Sequence, residues 1–181
     1  RDAPSGMKIT LLVPGTGSFY CGSCLRDQAL AKALAGLGHA VEVVPLYLPL
    51  FLEEPDAAPG PVRMGSINLY LQQKLPALGA LRWATGWLDH PDLLRWAAQH
   101  GDMTDAAAHA EMALSMLRGE EGRQRREVER LARALDRDGV PDVILLSNAM
   151  LIGVARTLKR LGVPLVCTLQ GEAPYLDSFP T

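Results

Sequence analysis

The apolar positions of the chain fall into two matching groups, one near each end. Residues 8–13 read Lys-Ile-Thr-Leu-Leu-Val, the nearly unbroken run expected of a strand covered on both faces of a parallel sheet. Downstream, Leu25, Ala29, Leu30, Ala33, Leu34 and Leu37 recur at helical spacing, which predicts a helix with those side chains on its packed face. Gly38 stands where a helix-ending C′ glycine belongs. Residues 41–44 supply a second strand, broken only by Glu42. Strand, helix and strand in succession make a βαβ unit, whose crossover is right-handed.

The second group repeats the first. Gly139-Val140-Pro141-Asp142 opens an apolar strand at 143–146, and Ser147-Asn148 follows. Leu151, Ile152, Ala155, Leu158 and Leu161 then predict a helix, closed by Gly162. Residues 165–169 form another strand, and Gln170-Gly171-Glu172 leaves its carboxyl end. Two such units predict an α/β fold: a Rossmann-like open, mostly parallel sheet with helices on both faces and a helical insertion in the middle.

The middle is less regular. Residues 46–61 are proline-rich and read as a loop, and a strand is expected around 67–71. The pattern over 75–101 is helical but interrupted by Gly79, Gly86 and Pro91. Trp83 and Trp87, four apart, share a face and with Trp96 read as an aromatic core patch. A helix is expected over 102–117, with Thr104 as its N-cap and Ala106, Ala110, Ala113 and Leu117 on one side. Residues 119–138 carry an apolar stripe of Val128, Leu131, Ala132 and Leu135, and their mixed charges predict a solvated face.

Composition narrows the function classes. A chain of 181 residues is one domain, or one lobe of something larger. Its formal charge of −2 argues against a nucleic-acid surface. Three cysteines are too few and too odd for a disulfide framework, which points to a reducing, cytoplasmic setting. The longest apolar stretch, 41–52, contains Glu42 and two prolines and is too short to span a bilayer. A membrane contact through the Trp83–Trp96 region stays open, with little support from composition. Residues 1–6 are polar and precede Met7, so they are expected to be a tag remnant or a disordered lead-in to a lobe over 7–181.

In an open parallel sheet, ligands bind beyond the carboxyl ends of the strands. Three segments answer that description: 15–24, 147–150 and 170–177. The first holds Gly15-Thr16-Gly17-Ser18 between strand and helix, where backbone N–H groups can approach an anion at the positive end of a helix. Gly15, Thr16, Gly17, Ser18 and, from the second unit, Asn148 are the candidate phosphate-side residues. The turn is neither a dinucleotide fingerprint, since Tyr20 stands where the third glycine is needed, nor a Walker loop, since Gly-Lys-Ser/Thr is missing. Cys21-Gly22-Ser23-Cys24 offers a rival reading, a dithiol whose thiol pKa a helix N-terminus would lower. No metal is expected: His39, His90, His100 and His109 show no ligand spacing. Gln170 suits a sugar hydroxyl, because its amide both donates and accepts. Glu172 and Asp177 are the nearby carboxylates. Asp27 is expected in the first turn of its helix, where negative charge is favourable. Arg26 either balances a phosphate or is merely exposed.

The opening strand, the Gly turn and Leu30-Ala31-Lys32-Ala33-Leu34-Ala35-Gly36-Leu37-Gly38-His39-Ala40-Val41-Glu42-Val43-Val44 resemble the start of GT-B glycosyltransferases, most of all family 4. Gly162-Val163-Pro164-Leu165-Val166-Cys167-Thr168-Leu169 is similar to the segment before that family's Thr-x-His-Gly. The resemblance covers both ends and leaves most of 46–137 unmatched. It implies the N-terminal, acceptor-side lobe of a retaining enzyme that moves a sugar from a nucleotide-sugar donor to a hydroxyl acceptor. It implies no permanently bound cofactor and no metal, with the leaving phosphate assisting proton removal. It also implies a C-terminal lobe, expected outside this chain, that grips the donor and carries a Glu-x7-Glu motif, so the lobe by itself would be inactive. Gln170 and Glu172 are the catalytic candidates. One departure stands out: Gln170 occupies the place of the family's His, and an amide cannot act as a general base.

Overall fold

The computed structural model describes residues 6–15, 22–47, 106–122 and 124–177. The fold is α/β, built on one open sheet of four parallel strands in the order β2-β1-β3-β4. These are β1 (Lys8–Val13), β2 (Ala40–Pro45), β3 (Val143–Leu146) and β4 (Leu165–Cys167). Helix α1 (Gly22–Gly36) links β1 to β2. Helices α2 (Ala106–Arg118) and α3 (Arg125–Arg137) precede β3. Between β3 and β4 the chain runs through a 3-10 segment (Ala149–Val154), the single turn α4 (Ala155–Leu158) and a second 3-10 turn (Lys159–Leu161). The short α5 (Ala173–Asp177) follows β4.

Alternation along the strands sorts the core into two layers. Leu12, Val44, Ile144 and Leu146 pack with Val128, Leu131 and Leu135 of α3 and with Leu151, Val154 and Leu158. Leu11 and Val13 point the other way and meet Cys24 and Ala31 of α1. The two βαβ units therefore wind in opposite directions from the centre of the sheet. Their shared boundary, between β1 and β3, is a topological switch point, which leaves a crevice at the carboxyl ends of the strands. Ladder bonds run past the strand ends towards it. Ser147 N–H donates to Leu12 O, and Thr168 N–H to Leu146 O, both at 3.0 Å.

The glycine signals in the sequence hold. Gly38 has φ +90°, and the N–H groups of Gly38 and His39 donate back to Ala35 O and Leu34 O at 2.9 and 3.2 Å. This double closure is a Schellman cap, which requires a left-handed C′ residue. Gly162 closes the second unit in the same conformation, at φ +75°.

The packed face of α1 differs from the expected one. Leu25 and Leu30 are exposed and Leu37 is 75% exposed, as are Ala29 and Ala33. The helix turns Cys24, Asp27 and Ala31 inward instead. Small residues at two of these three positions let the helix lie close to the sheet, and Asp27 finds polar partners there. On α3, Val128, Leu131 and Leu135 are buried as expected, and most of the charges are solvated. Glu127 is the exception: it is 2% exposed and accepts from Arg130 Nη1 at 3.0 Å. The expected strand at 67–71, the helical pattern over 75–101, the three tryptophans and the Thr104 cap lie outside the described residues.

Candidate functional site

Four of the candidate residues come from three different loops at one end of the sheet. Gly15 follows β1 with φ +88°, a backbone conformation that requires glycine. Asn148 follows β3, and Gln170 and Glu172 follow β4. Thr16, Gly17, Ser18 and Cys21 lie outside the described residues.

Asn148 is the N-cap of the 3-10 segment after β3. Its Oδ1 accepts from Met150 N–H at 3.1 Å, which satisfies one of the orphan donors at a helix start. Glu172 ties the two loops together. Its Oε1 accepts from Ala149 N–H at 2.9 Å and its Oε2 from Gln170 N–H at 3.0 Å. Gly171, at φ +78°, supplies the tight reversal that lets the carboxylate fold back onto Gln170. The Ala149 N–H, foremost, then the N–H groups of Gln170 and Glu172 itself and the charge of Arg26, hold the Glu172 carboxyl below the usual carboxylate range against a partial opposing effect of desolvation. Glu172 is therefore ionised at neutral pH and a weak base. Nearby, burial first and the Glu172 charge second push the Cys167 thiol up.

The depressed Glu172 pKa gives a testable pH dependence. A carboxyl bound more tightly as its anion stabilises the fold above its unfolded pKa, and loses that contribution as pH falls through the folded one. The stability gap between the wild type and Glu172→Gln is expected to be widest near neutral pH and to close below about pH 4. Urea denaturation at pH 7 and pH 3 measures it; an equal gap at both would show that the carboxylate charge contributes nothing.

Gln170 points its amide inward: Nε2 donates to the Ser147 carbonyl, and Oε1 keeps its acceptor capacity. Two further residues, which the sequence did not mark as partners, complete the arrangement. Asp27 is 1% exposed and Ser147 equally buried. Ser147 Oγ donates to Asp27 Oδ2, while Arg26 binds Asp27 Oδ1 through Nε at 3.0 Å and through Nη2. Arg26 Nη2 also donates to the Ser147 carbonyl at 3.0 Å. The contacts close a ring that joins α1 to the end of β3, and Gln170 hangs from the same carbonyl. Two signals could have found Asp27. It sits in line with Cys24 and Ala31 at helical spacing, and Ser147 is the first polar residue after a buried strand.

Chemically, the arrangement offers an amide acceptor, an amide cap, an ionised carboxylate and a half-exposed guanidinium. His39 is far from it, at the opposite end of the sheet, accepting from Met7 N–H at 3.1 Å. Cys24 is buried. Among the described residues no cluster of His, Cys, Asp or Glu could hold a metal ion, and no helix is long and apolar enough to cross a membrane.

No curated protein and no solved structure matches the chain. Residues 26–180, which span both βαβ units apart from β1 and the start of α1, match the glycosyl transferase 4-like domain. With that match over most of its length and an all-parallel sheet wound in two directions, the chain belongs to the glycosyl transferase 4-like family, and its function is of glycosyltransferase type.

Proposed function

We propose that residues 7–181 form the acceptor-side lobe of a retaining glycosyltransferase. The enzyme transfers a sugar from a nucleotide-sugar donor to a hydroxyl acceptor, in a cleft closed by a second lobe outside this range. The observation that carries the reading is the convergence of Arg26 of α1, Asn148 after β3, and Gln170 and Glu172 after β4 at the β1–β3 switch point. The Gly15–Ser18 turn faces the donor diphosphate, with Gly15 already in the glycine-only conformation. Gln170 Oε1 accepts from the attacking hydroxyl and orients it.

Proton removal falls to another group, because both Glu172 oxygens accept backbone N–H bonds that lower its basicity and Gln170 has no basic atom. The leaving phosphate of the donor fills that role on the donor's own face, which preserves the anomeric configuration. The reaction needs neither a metal nor a resident cofactor, and the enzyme works in the cytoplasm. Its partners are the two substrates and its own second lobe; it binds no nucleic acid. Of the dithiol alternative, Cys24 packs with Leu11, Val13 and Ala31, and Cys21 lies outside the described residues.

The test is to incubate the full-length protein with a panel of nucleotide sugars and to follow nucleoside diphosphate release and the anomer formed by NMR. Retention is expected; an inverted product would overturn the mechanism. Residues 7–181 alone are expected to show no turnover with any donor. In the full-length protein, Gly17→Val is expected to abolish turnover without lowering the melting temperature, because a side chain there blocks backbone approach to phosphate. Unchanged turnover would remove the diphosphate from this turn.

A further inference from the structure

The geometry points to Asp27 as a positioning residue for acceptor recognition: its buried carboxylate fixes the Ser147 carbonyl and thereby sets where the Gln170 amide is presented. The inference rests on the reading of Gln170 as an acceptor contact.

The argument begins with what α1 gives up. Its leucines would offer an apolar packed face, yet Leu25, Leu30 and Leu37 stay exposed while Asp27 is 1% exposed. Burying a carboxylate is costly unless it is paired. Even a well-paired buried ion is often no more stabilising than an apolar replacement of similar size. Stability alone therefore does not account for this rotation of the helix. Position does. Asp27 Oδ2 takes the Ser147 hydroxyl and Oδ1 takes the Arg26 guanidinium, and Arg26 Nη2 reaches the Ser147 carbonyl at 3.0 Å. That carbonyl is held from one side by Arg26 and from the other by Gln170 Nε2. The backbone N–H of Gln170 is held in turn by Glu172, which also binds Ala149 N–H, two residues past Ser147. Asp27 thus reaches the β4 loop through one carbonyl, although its own side chain is not at the surface.

Asp27→Asn keeps the shape but removes the charge: the amide oxygen still accepts from Arg26, while the NH2 group forces the Ser147 hydroxyl to turn from donor to acceptor, so both charge-assisted bonds of the ring are weakened. The test reads the link directly and then its consequence. In the isotope-labelled chain, Asp27→Asn is expected to shift the Gln170 side-chain amide and Ala149 backbone amide signals and to speed their hydrogen exchange by about fivefold. Ser147→Thr, which keeps the hydroxyl, is expected to leave both signals near their wild-type positions. Leu158→Ala, a core substitution away from the ring, should not move them, which separates positioning from general loosening. The double variant Asp27→Leu with Ser147→Ala replaces the pair by apolar groups; it is expected to stay folded with both signals shifted. Signals that stay in place in either folded Asp27 variant would overturn the proposal.

The second arm measures nucleoside diphosphate release from a panel of nucleotide sugars by the full-length enzyme. A loss of about tenfold or more in Asp27→Asn, with Leu158→Ala near the wild-type rate, supports the proposal. Shifted signals with unchanged release would keep the physical link but remove Gln170 from acceptor recognition, so the two readings fail separately.

Discussion

Gly153→Ala is expected to destabilise the protein by about 3 kcal/mol or more. Gly153 lies in the 3-10 segment after β3, where it crosses the end of α2 backbone to backbone. A Cβ on Gly153 would stand 1.9 Å from Met116 O and 2.9 Å from Gly119 N. From the other side, a Cβ on Gly119 would stand 1.8 Å from Gly153 O, and Gly119 already sits at φ +55°. None of these atoms is the flexible end of a side chain, so a methyl group can enter only by separating the two segments. Gly36→Ala is the matched control. Nothing lies within 4 Å of a Cβ there, and an alanine near the end of α1 is expected to stabilise by up to about 1 kcal/mol. Urea denaturation of the two variants should give shifts of opposite sign; a Gly153→Ala midpoint equal to wild type would show that the crossing has room.

Leu158→Ala carries the second large effect, a loss of about 3 kcal/mol within the range of about 2–5 seen for such deletions. Leu158 is fully buried in the core layer that also holds Leu131 and Leu135 of α3. It joins α3 and the β3–β4 connection to the sheet in one contact layer. Interiors are packed tightly enough that the cavity closes only in part. At roughly 2–4 °C per kcal/mol for a chain of this size, the melting temperature should fall by about 10 °C. A drop of under about 2 °C would mean that the helical layer relaxes freely onto the sheet.

Much of the framework was legible from local chemistry. The largely apolar six-residue run at 8–13 and the four-residue run at 143–146 marked β1 and β3, because a parallel strand covered on both faces needs no polar alternation. Gly38 and Gly162 marked helix ends, because a left-handed C′ position selects glycine whatever packs around it. On α3, Val128, Leu131 and Leu135 were legible because one amphipathic stripe met one apolar layer. The candidate site was legible as a location. Gly15, Asn148, Gln170 and Glu172 all leave carboxyl ends of parallel strands, and that end of the sheet follows from chain order alone.

What the sequence determined by itself is thus the alternation of strand and helix, the caps, and the three loops that share one end of the sheet. Each depends on neighbours within a few residues. The tertiary structure decided the rest. It turned Asp27 inward and left the Leu25–Leu37 stripe outside, because the partner that makes a buried carboxylate tolerable, Ser147, lies 120 residues away. It made Glu172 a brace between two loops, because the Ala149 N–H that binds it belongs to the preceding strand's loop. It brought Gly119 and Gly153 into backbone contact. Helical periodicity names a stripe of similar side chains, but the rotation of a helix is chosen by the most demanding group on it. Here that group is one carboxylate, and its partners are fixed only when β1 and β3 lie side by side.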